Sequence, residues 1–488
     1  MEQKLLQQIK EWRDNGEYEK VISALNAIPA DQRDYAVSLN LAQAYTDAEQ
    51  YPQAIRQLAQ LAKEGQRDPH WHFLTGLCYY YLDEDGLAIQ AFERALTLNP
   101  DYANAKELLK SAQKIFSCPV EIRPFRDRVQ DFWEDFSKEE VHLRELMDDS
   151  ANPQKAAEFA AKLLQKAFRR PCFQLAHNRV NGKYTLILTP EGLRHEMFPI
   201  EYWQQKAPKE LLEHWDFLAG RPRIPNVTLQ LDGAQLTGKD MQVWIEKQKY
   251  DQAGIKIFVP KLAFLLRKEK GKVYAMIYQM LLQSLGEKVA MRHIAYVDIL
   301  ERAEKTKPDL LVSELYQWMG ENLCGGDFEK LEKADPCETY FGYEKKPQQN
   351  NISLRSDVVL GTTACLELVK DYHAGRGGID SMYRKNGVVA GFLCYGHGKT
   401  PANQLVSTRT KLEQKLEEAA GDSVRIIGGA TGLSRSYIDC ICYDLQSFLD
   451  AAKEVFSQEE TPMVLFHVFH QAASSVTVKE SSLETSHN

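Results

Sequence analysis

Residues 69–102, PHWHFLTGLCYYYLDEDGLAIQAFERALTLNPDY, decide the fold of the first part of the chain. Small, aromatic and terminating residues stand at regular positions in this stretch: Gly76, Tyr79, Ala88, Phe92, Ala95 and Pro100. The small residues allow two paired helices to approach closely, and the large ones fill the space between neighbouring pairs. Because one helix pair could not bury its apolar face alone, the stretch predicts one member of a repeated array.

The same positions recur upstream at a period of about 34 residues. One step back gives Ala42, Tyr45, Ala54, Leu58 and Leu61, and a second step gives Trp12, Val21 and Leu25. The first copy departs from the pattern at Ile9, and terminal repeats are commonly atypical because they cap the stack. We therefore predict a helical solenoid of three repeats over residues 1–116.

With this period and these positions, the N-terminal quarter of the chain resembles the tetratricopeptide repeat family. The resemblance implies a concave surface lined by the first helix of each repeat. A partner-binding site is then expected at Lys10, Arg13, Gln43, Asp47, His70, Phe73, Leu77, Tyr80 and Tyr81. The third repeat would supply an aromatic wall, which suits an extended or helical peptide.

Two points narrow what this surface could hold. Family members that clamp the C-terminal carboxylate of a chaperone use basic and amide positions, at or near which this chain has Leu6, Leu39 and Gln43. The resemblance therefore disfavours a chaperone tail as the ligand. The alternative to an open groove is that the array packs against the rest of its own chain, with Tyr80 and Tyr81 as core residues.

Composition limits the class of protein. The chain has 488 residues, of which 44% are apolar and 26% charged, as in soluble proteins of several domains. Its net charge is -8 and its pI about 5.9, without a basic tract, so nucleic acid is an unexpected partner. No apolar run is long enough for a membrane helix, and nine cysteines without a Cys-x-x-Cys pair predict reduced thiols. We expect a cytoplasmic protein without a metal or other cofactor.

After the repeats, an amphipathic helix is predicted within residues 117–150. Its apolar stripe consists of Phe125, Val129, Phe132, Trp133 and Phe136, all at helical spacing. Such a stripe needs a partner surface, while the acidic residues on the other side are expected to face solvent. This helix would link the array to the rest of the chain.

The remainder alternates between helix and strand patterns and predicts two α+β domains, 151–334 and 350–470. In the first domain we predict helices at 153–168, 207–219 and 274–286, and strands near 172–177, 183–189, 227–231, 241–246 and 255–259. The polar residues 335–353 suggest the boundary. The second domain reads β-α-β-β-α, with helices at about 402–420 and 445–457, and the first shows a similar order, which suggests two related units in tandem. The tail, 474–488, is predicted to be disordered.

No catalytic signature appears in the sequence. The most enzyme-like stretch, Gly396 to Thr400, ends like a phosphate-binding loop, but Leu393 replaces the glycine that such a loop needs and Pro401 removes an amide donor. The leading hypothesis is thus an adaptor or inhibitor that binds a polypeptide partner through the repeat groove and the α+β domains together. It is expected to be of bacterial type, since small α+β domains behind short repeat arrays resemble uncharacterised bacterial proteins. The acidic balance would suit a basic partner.

Two other hypotheses stay open. One is an enzyme, nucleotide-dependent or otherwise, whose site lies in residues 350–460 around Lys399, Gly429 and Asp444, with the repeats recruiting the substrate. The other is a homo-oligomeric scaffold that has no separate ligand.

Overall fold

The computed structural model describes residues 8–9, 11–13, 15–29, 32–48, 50–82, 84–116, 123–149, 152–169, 171–178, 181–231, 234–268, 270–333, 335–348, 353–375, 377–461, 463–471 and 473–480. The chain divides into two compact units. The repeat unit contains Met1–Ile122 together with Ala374–Lys385, and the α+β unit contains Arg123–His373 and Asn386–Asn488. The predicted domain boundary at 335–353 falls inside the α+β unit, and it does not separate two compact units.

The helices follow in chain order. They are α1 Tyr18–Asn26, α2 Tyr35–Asp47, α3 Tyr51–Gln60, α4 Ala62–Gly65, α5 Pro69–Tyr81, α6 Asp85–Leu98, α7 Ala103–Phe116, α8 Phe125–Asp148, α9 Pro153–Leu164, α10 Arg194–Gln205, α11 Ala263–Lys268, α12 Lys270–Leu285, α13 Glu287–His293, α14 Val312–Leu323, α15 Phe328–Glu332, α16 Leu366–His373, α17 Gly378–Lys385, α18 Leu405–Ala420 and α19 Leu445–Ser457. Helices α1 to α7 and α17 belong to the repeat unit.

All of the following strands belong to the α+β unit. They are β1 Phe173–Asn178, β2 Lys183–Leu188, β3 Trp215–Ala219, β4 Thr228–Leu231, β5 Ala234–Thr237, β6 Gln242–Gln248, β7 Gln252–Phe258, β8 Ile294–Ile299, β9 Leu310–Leu311, β10 Phe341–Glu344, β11 Val358–Thr363, β12 Val389–Gly396, β13 Val424–Gly432, β14 Arg435–Cys442, β15 Val464–Val468 and β16 Val476–Lys479.

The repeat helices begin at side-chain caps that the sequence supplies locally. Asp34 accepts a hydrogen bond from the backbone N–H of Val37 at 2.8 Å, and Asp68 accepts one from that of His70 at 2.8 Å. Each cap satisfies an amide that the first turn leaves without a helical partner. Pro69 follows its cap at the first helical position, where a missing N–H costs nothing.

The predicted close packing of the repeats is present. A Cβ atom on Gly76 would lie 2.7 Å from Phe92 Cδ1, so the glycine allows the α6 aromatic to pack directly on the α5 backbone. Ala42, Ala54 and Ala88 are fully buried in the same core. The prediction of helical repeats is confirmed.

Helix α8 packs inside the α+β unit on an aromatic layer. The Trp133 ring stacks on Trp203 at 5.1 Å and meets the edge of Phe217 at 4.7 Å, while Phe136 meets Trp215 at 5.1 Å. Trp133 also donates its indole N–H to the backbone oxygen of Trp203 at 3.1 Å, which satisfies the one polar group of a buried ring. The apolar stripe predicted for this helix therefore packs on the aromatic layer formed by Trp203, Trp215 and Phe217.

The first part of the α+β unit contains two separate sheets and a hairpin. The three-stranded sheet has the order β1-β2-β3, the four-stranded sheet has the order β8-β7-β6-β9, and β4 pairs with β5. Strands β2 and β3 are parallel and α10 connects them. Helices α12 and α14 bury their apolar faces on the four-stranded sheet through residues such as Ile277, Met280, Leu315 and Met319.

The predicted helix at 207–219 is wrong. A short 3-10 helix at Lys209–Glu213 precedes strand β3, and the true helix, α10, lies upstream. Trp215, Phe217 and Ala219 are buried and alternate with less buried residues. This period of two is that of a strand, and the segment pairs with β2. Pro199 lies inside α10, where it removes a backbone hydrogen bond. A proline inside a segment argues against a helix in the sequence, so α10 was not predicted.

The second part of the α+β unit contains a seven-stranded antiparallel sheet of order β10-β11-β13-β14-β12-β15-β16. Its four central strands, with α18 and α19, follow the chain order β-α-β-β-α-β and the spatial order β13-β14-β12-β15, the ferredoxin-like arrangement. The predicted β-α-β-β-α order is confirmed here. The first part does not repeat it, because β2 and β3 are neighbours in one sheet whereas β14 lies between β12 and β13. The predicted tandem relation is therefore wrong in topology.

Two predictions at the margins also need correction. The segment 335–353 contributes strand β10 to the sheet, and the predicted disordered tail contains β16, which pairs with β15. Residues 481–488 lie outside the described part of the chain. Within the described residues, none of the helices combines the length and the apolar character that a membrane crossing requires.

Candidate protein-binding surface

The first helices of successive repeats lie side by side and are joined by polar contacts at the repeat period. Tyr35 donates to Asp68 across 33 residues at 2.7 Å, and Thr46 Oγ1 lies 3.3 Å from Cys78 Sγ across 32 residues. Helix α7 continues the series beyond the third repeat. We call the surface formed by residues 11–13, α2, α5 and α7 the first-helix face. It contains the described members of the predicted partner-binding site.

At one end of this face the predicted residues form a polar network. Arg13 donates from Nε to Asp47 Oδ2 at 3.1 Å and from Nη2 at 3.0 Å, and Gln43 Nε2 donates to Asp47 Oδ1 at 2.7 Å. The side chains of Arg13 and Asp47 are 35% and 22% exposed, so both still reach the surface. Lys10 lies outside the described residues. The structure thus brings three of the four predicted polar residues together.

At the other end the predicted aromatic wall is partly core. Phe73 is only 8% exposed, because Tyr102 stacks on it at 4.7 Å. His70 Nδ1 lies 2.8 Å from the Tyr102 hydroxyl, and burial lowers the pKa of His70. Leu77 is half-buried against the same core. Tyr102 was missed as a member of the surface, since its role depends on a contact with the preceding repeat.

Tyr80 and Tyr81 point to different neighbours. The Tyr80 hydroxyl lies 2.9 Å from Ser111 Oγ on α7, whereas the Tyr81 ring stacks on Tyr51 of α3 at 4.9 Å with 13° between the ring planes. Successive residues of a helix are about 100° apart, so they cannot form one flat wall. Tyr81 is 43% exposed, and it is the predicted aromatic that offers the larger accessible area.

Comparison with known proteins identifies this part of the chain. Residues 39–103 match the model of the tetratricopeptide repeat family. These residues are tetratricopeptide repeats. The chain is also similar to the DnaJ homolog subfamily C member 7 homolog of Dictyostelium discoideum, with 34% identity over 99 residues. That match covers 20% of this chain and 18% of the relative, so the chain spans less than a fifth of the relative's length. No solved structure matches the chain.

The residues of the rival enzyme site are not assembled. Lys399 is exposed and follows β12 where Gly396 pairs with Arg435, while Asp444 follows β14 beyond Cys442, which pairs with Val389 at the opposite end of β12. Strands advance about 3.3 Å per residue, so the length of β12 separates these ends by roughly 20 Å. Lys399 and Asp444 cannot act on one substrate group.

The remaining members of that constellation have structural roles. Asp444 caps α19 by accepting from the Ser447 backbone N–H at 3.2 Å. It also accepts from the Ser447 hydroxyl at 2.6 Å and pairs with Arg126 at 2.5 Å. Gly429 lies inside β13 opposite Ile438. Tetratricopeptide repeats mediate protein interactions, and these observations remove the support for an enzyme site around Lys399, Gly429 and Asp444.

A buried cluster in the α+β unit has ligand types that suit a metal. The ligand atoms of Glu201, Asp335 and Cys337 lie within 4.8 Å of one another. However, Lys288 Nζ is 2.7 Å from Glu201, and Arg425 lies 3.5 Å from Glu201 and 3.9 Å from Asp335. These fixed cations already hold the carboxylates, and a metal ion would have to compete with both. The group is an ion-pair cluster.

A cleft of about 390 Å³ also opens in this unit. Arg194 lines it, donates to the backbone oxygen of Pro336 at 2.7 Å, and lies 4.8 Å over the Phe341 ring. Glu367 accepts from His195, with Nδ1 at 2.5 Å. Burial favours a higher pKa for Glu367, but the hydrogen bonds and the charge of His195 outweigh it and lower that pKa. Arg194 is held by backbone oxygens and Glu367 by His195, so these groups do not converge on a substrate position.

The pH dependence of stability is expected to report His373. Burial and the neighbouring cations Lys345 and Arg355 lower the pKa of His373 to about 4, and Lys345 Nζ donates to its Nδ1 at 2.8 Å. The unfolded chain binds this proton near the ordinary value of about 6.5, so the contribution is present above that pH and is lost as the pH falls toward 4. We expect the unfolding free energy of wild type, relative to His373→Asn, to fall from pH 7 to pH 4.5.

Urea unfolding at both pH values measures this difference. Asparagine cannot titrate but keeps an acceptor for Lys345, so it isolates the proton from the hydrogen bond. A difference between wild type and variant that is the same at pH 7 and pH 4.5 would contradict the assignment.

Proposed function

We propose that the protein is an interaction adaptor or inhibitor that binds a polypeptide partner on the first-helix face of its tetratricopeptide repeats. The observation that carries the proposal is the family match over residues 39–103, together with an accessible polar network around Asp47 and an accessible aromatic at Tyr81. Tyrosine offers a large contact area with few rotors, and an Arg–Asp pair adds directional groups at the rim.

Charge favours a basic partner. Residues 1–122 contain 12 Lys and Arg against 18 Asp and Glu, a formal charge of -6, so this part of the chain accounts for most of the net charge of -8. An acidic surface accelerates encounter with a basic partner and disfavours acidic ones, nucleic acid among them. We place this interaction in the cytoplasm. A chaperone tail is disfavoured as the partner, because Leu39 and Gln43 stand at or near the positions that would clamp its carboxylate.

The oligomeric scaffold is the second candidate. In this role the first-helix face would bind another copy of the chain. Capture from lysate would then recover a second copy of this protein as the partner. The α+β unit would support either role as a folded platform.

The test is capture of partners from native lysate by the intact protein, with identification by mass spectrometry. Tyr81→Ala is expected to reduce capture of the authentic partner at least tenfold, about 1.4 kcal/mol, because exposed tyrosines at interface centres contribute on that scale. Arg94→Ala is the control, since Arg94 is exposed on α6, outside the first-helix face. Both variants should retain the circular dichroism spectrum of wild type.

A second pair of changes covers the polar end. Gln43→Ala with Asp47→Ala removes the network while leaving Tyr81 in place. If a stoichiometric partner is retained fully by both this double variant and Tyr81→Ala, the first-helix face is not the binding surface. Raising the salt concentration should weaken the binding of a basic partner. Attraction between exposed charges is largely screened beyond about 8 Å at physiological ionic strength, and this distance shortens as salt is added.

A further inference from the structure

The repeat unit includes a helix that comes from the distant part of the sequence. The chain leaves the α+β unit after His373, contributes Ala374–Lys385 to the repeat unit, and returns at Asn386. We call residues 374–385 the strap. Its helix, α17, has eight residues, Gly378–Lys385. Isolated helices of this length are not stable in water, so the surroundings hold it.

The strap lies against the turn between the two helices of the third repeat. A Cβ atom on Gly378 would lie 2.5 Å from Glu84 Oε1 and 3.0 Å from Glu84 Cδ, so the strap backbone lies directly against the Glu84 side chain. Tyr383 is 1% exposed and Asp380 is fully buried. Asp380 also pairs with Arg384 at 2.7 Å, one turn along the same helix.

Glycines flank helix α17 on both sides. Gly375 and Gly377 precede α17 with φ of 66° and 68°, and Gly387 follows it with φ of 81°. These angles lie in the left-handed region that other residues rarely adopt. A helix bounded by such residues can change its direction without disturbing the strands and helices on either side, as hinge segments do.

Charge complements the contact. The strap contains three basic residues and one acidic residue, a formal charge of +2, against the -6 of residues 1–122. The surface at the α5–α6 turn therefore holds a short basic helix. Because the strap is tethered at both ends, its effective concentration at this surface is high, and a free helix must overcome that advantage.

We propose that the edge of the array at the α5–α6 turn is a binding surface for short basic helices, and that the strap is its exchangeable, tethered occupant. This edge is distinct from the first-helix face, so the inference goes beyond the function proposed above. A protein partner that carries such a helix would take the place of the strap and release it.

The test uses a fluorescein-labelled peptide of the strap sequence, AGRGGIDSMYRK, and the full chain. In one variant residues 378–385 are replaced by a Gly-Ser linker of equal length; in another, Gly378→Trp wedges the strap away from Glu84. Fluorescence anisotropy should show at least tenfold tighter peptide binding to both variants than to wild type, where the strap competes. Higher salt should weaken the binding.

Two control peptides make the test specific. A scrambled peptide of equal charge and a peptide with tryptophan at the position of Gly378 should each bind at least tenfold more weakly. Peptide binding that is absent from both folded variants, or equal for the scrambled peptide, would overturn the proposal. Unfolding of the chain in both variants would do so as well, since the strap would then be a fixed part of the core. None of these outcomes depends on Tyr81 or on a captured partner.

Discussion

Asp439→Asn is expected to lower the free energy of unfolding by about 3–5 kcal/mol, the cost of leaving a buried charge without its partner. Asp439 and Arg355 are both fully buried, with a guanidinium–carboxylate contact that includes Nη2 and Oδ2 at 3.2 Å. Burial alone would lower the pKa of Arg355, but Asp439 reverses the direction and keeps it charged. The arginine also donates to the Tyr343 hydroxyl at 2.6 Å, so the positions of both Arg355 and Tyr343 depend on one carboxylate.

A double replacement by apolar residues separates the charge from the space it fills. Arg355→Met with Asp439→Leu should recover most of the loss, because well-packed apolar pairs often replace buried ion pairs at little cost. Asp450→Asn is the matched control, since Asp450 is an exposed carboxylate on α19 paired with Lys453, and it should leave the unfolding transition unchanged. Urea denaturation gives all four values, and a cost below about 1 kcal/mol for Asp439→Asn alone would contradict the argument.

The second large effect is expected in the repeats. Phe92→Ala should cost about 3–5 kcal/mol, because it removes a fully buried ring from between paired helices. The contact between Phe92 and Gly76 can also be tested by enlarging the residue on the other helix. Gly76→Val alone should also destabilise, since its Cβ would lie 2.7 Å from Phe92 Cδ1, and overpacking costs about 1–3 kcal/mol.

The pair should then be coupled. Gly76→Val combined with Phe92→Ala should cost less than the sum of the single changes, since each relieves the defect of the other. Thermal unfolding followed by far-ultraviolet circular dichroism measures the cycle, and Phe92→Leu serves as the mild control. Additive costs would mean that the helix pair relaxes without this contact, contrary to the packing described.

How much the sequence predicts depends on whether the information is local. The repeat helices were predictable because Gly76, Ala88 and Phe92 stand at family positions within a single repeat. The stripe on α8 was predictable as a face that needs a partner, although Trp203 and Phe217, which provide that partner, lie about 70 and 80 residues away. Periodicity reports which face is buried but not against what.

The failures have physical causes of the same kind. Residues 207–219 have apolar residues at helical spacing, yet the pairing of Trp215 with Tyr184 on β2 makes a strand there. The aromatic wall was divided because Tyr80 and Tyr81 find different neighbours on α7 and α3. The Arg355–Asp439 pair could not be anticipated, since 84 residues separate its members and charged residues are ordinarily placed on the surface.

The candidate site shows the same limit. The family positions located Arg13, Gln43 and Asp47 on one face, and the structure connects them. Whether such residues are accessible to a partner depends on tertiary contacts. Phe73 is buried because the Tyr102 ring stacks on it. The strap had no local indication at all, because a contact between Glu84 and Gly378 joins positions nearly 300 residues apart.

The discontinuity of the repeat unit has an evolutionary consequence. Short helical repeats are commonly regarded as modules that recombination can move between genes as one uninterrupted piece of coding sequence. Here no single cut yields the whole unit, since its last helix is encoded between those for α16 and β12. A gene that acquired only the upstream piece would inherit an array with an unoccupied edge, and a gene that kept only the downstream piece would inherit a helix with nothing to bind. The two pieces are therefore expected to be inherited and to change together.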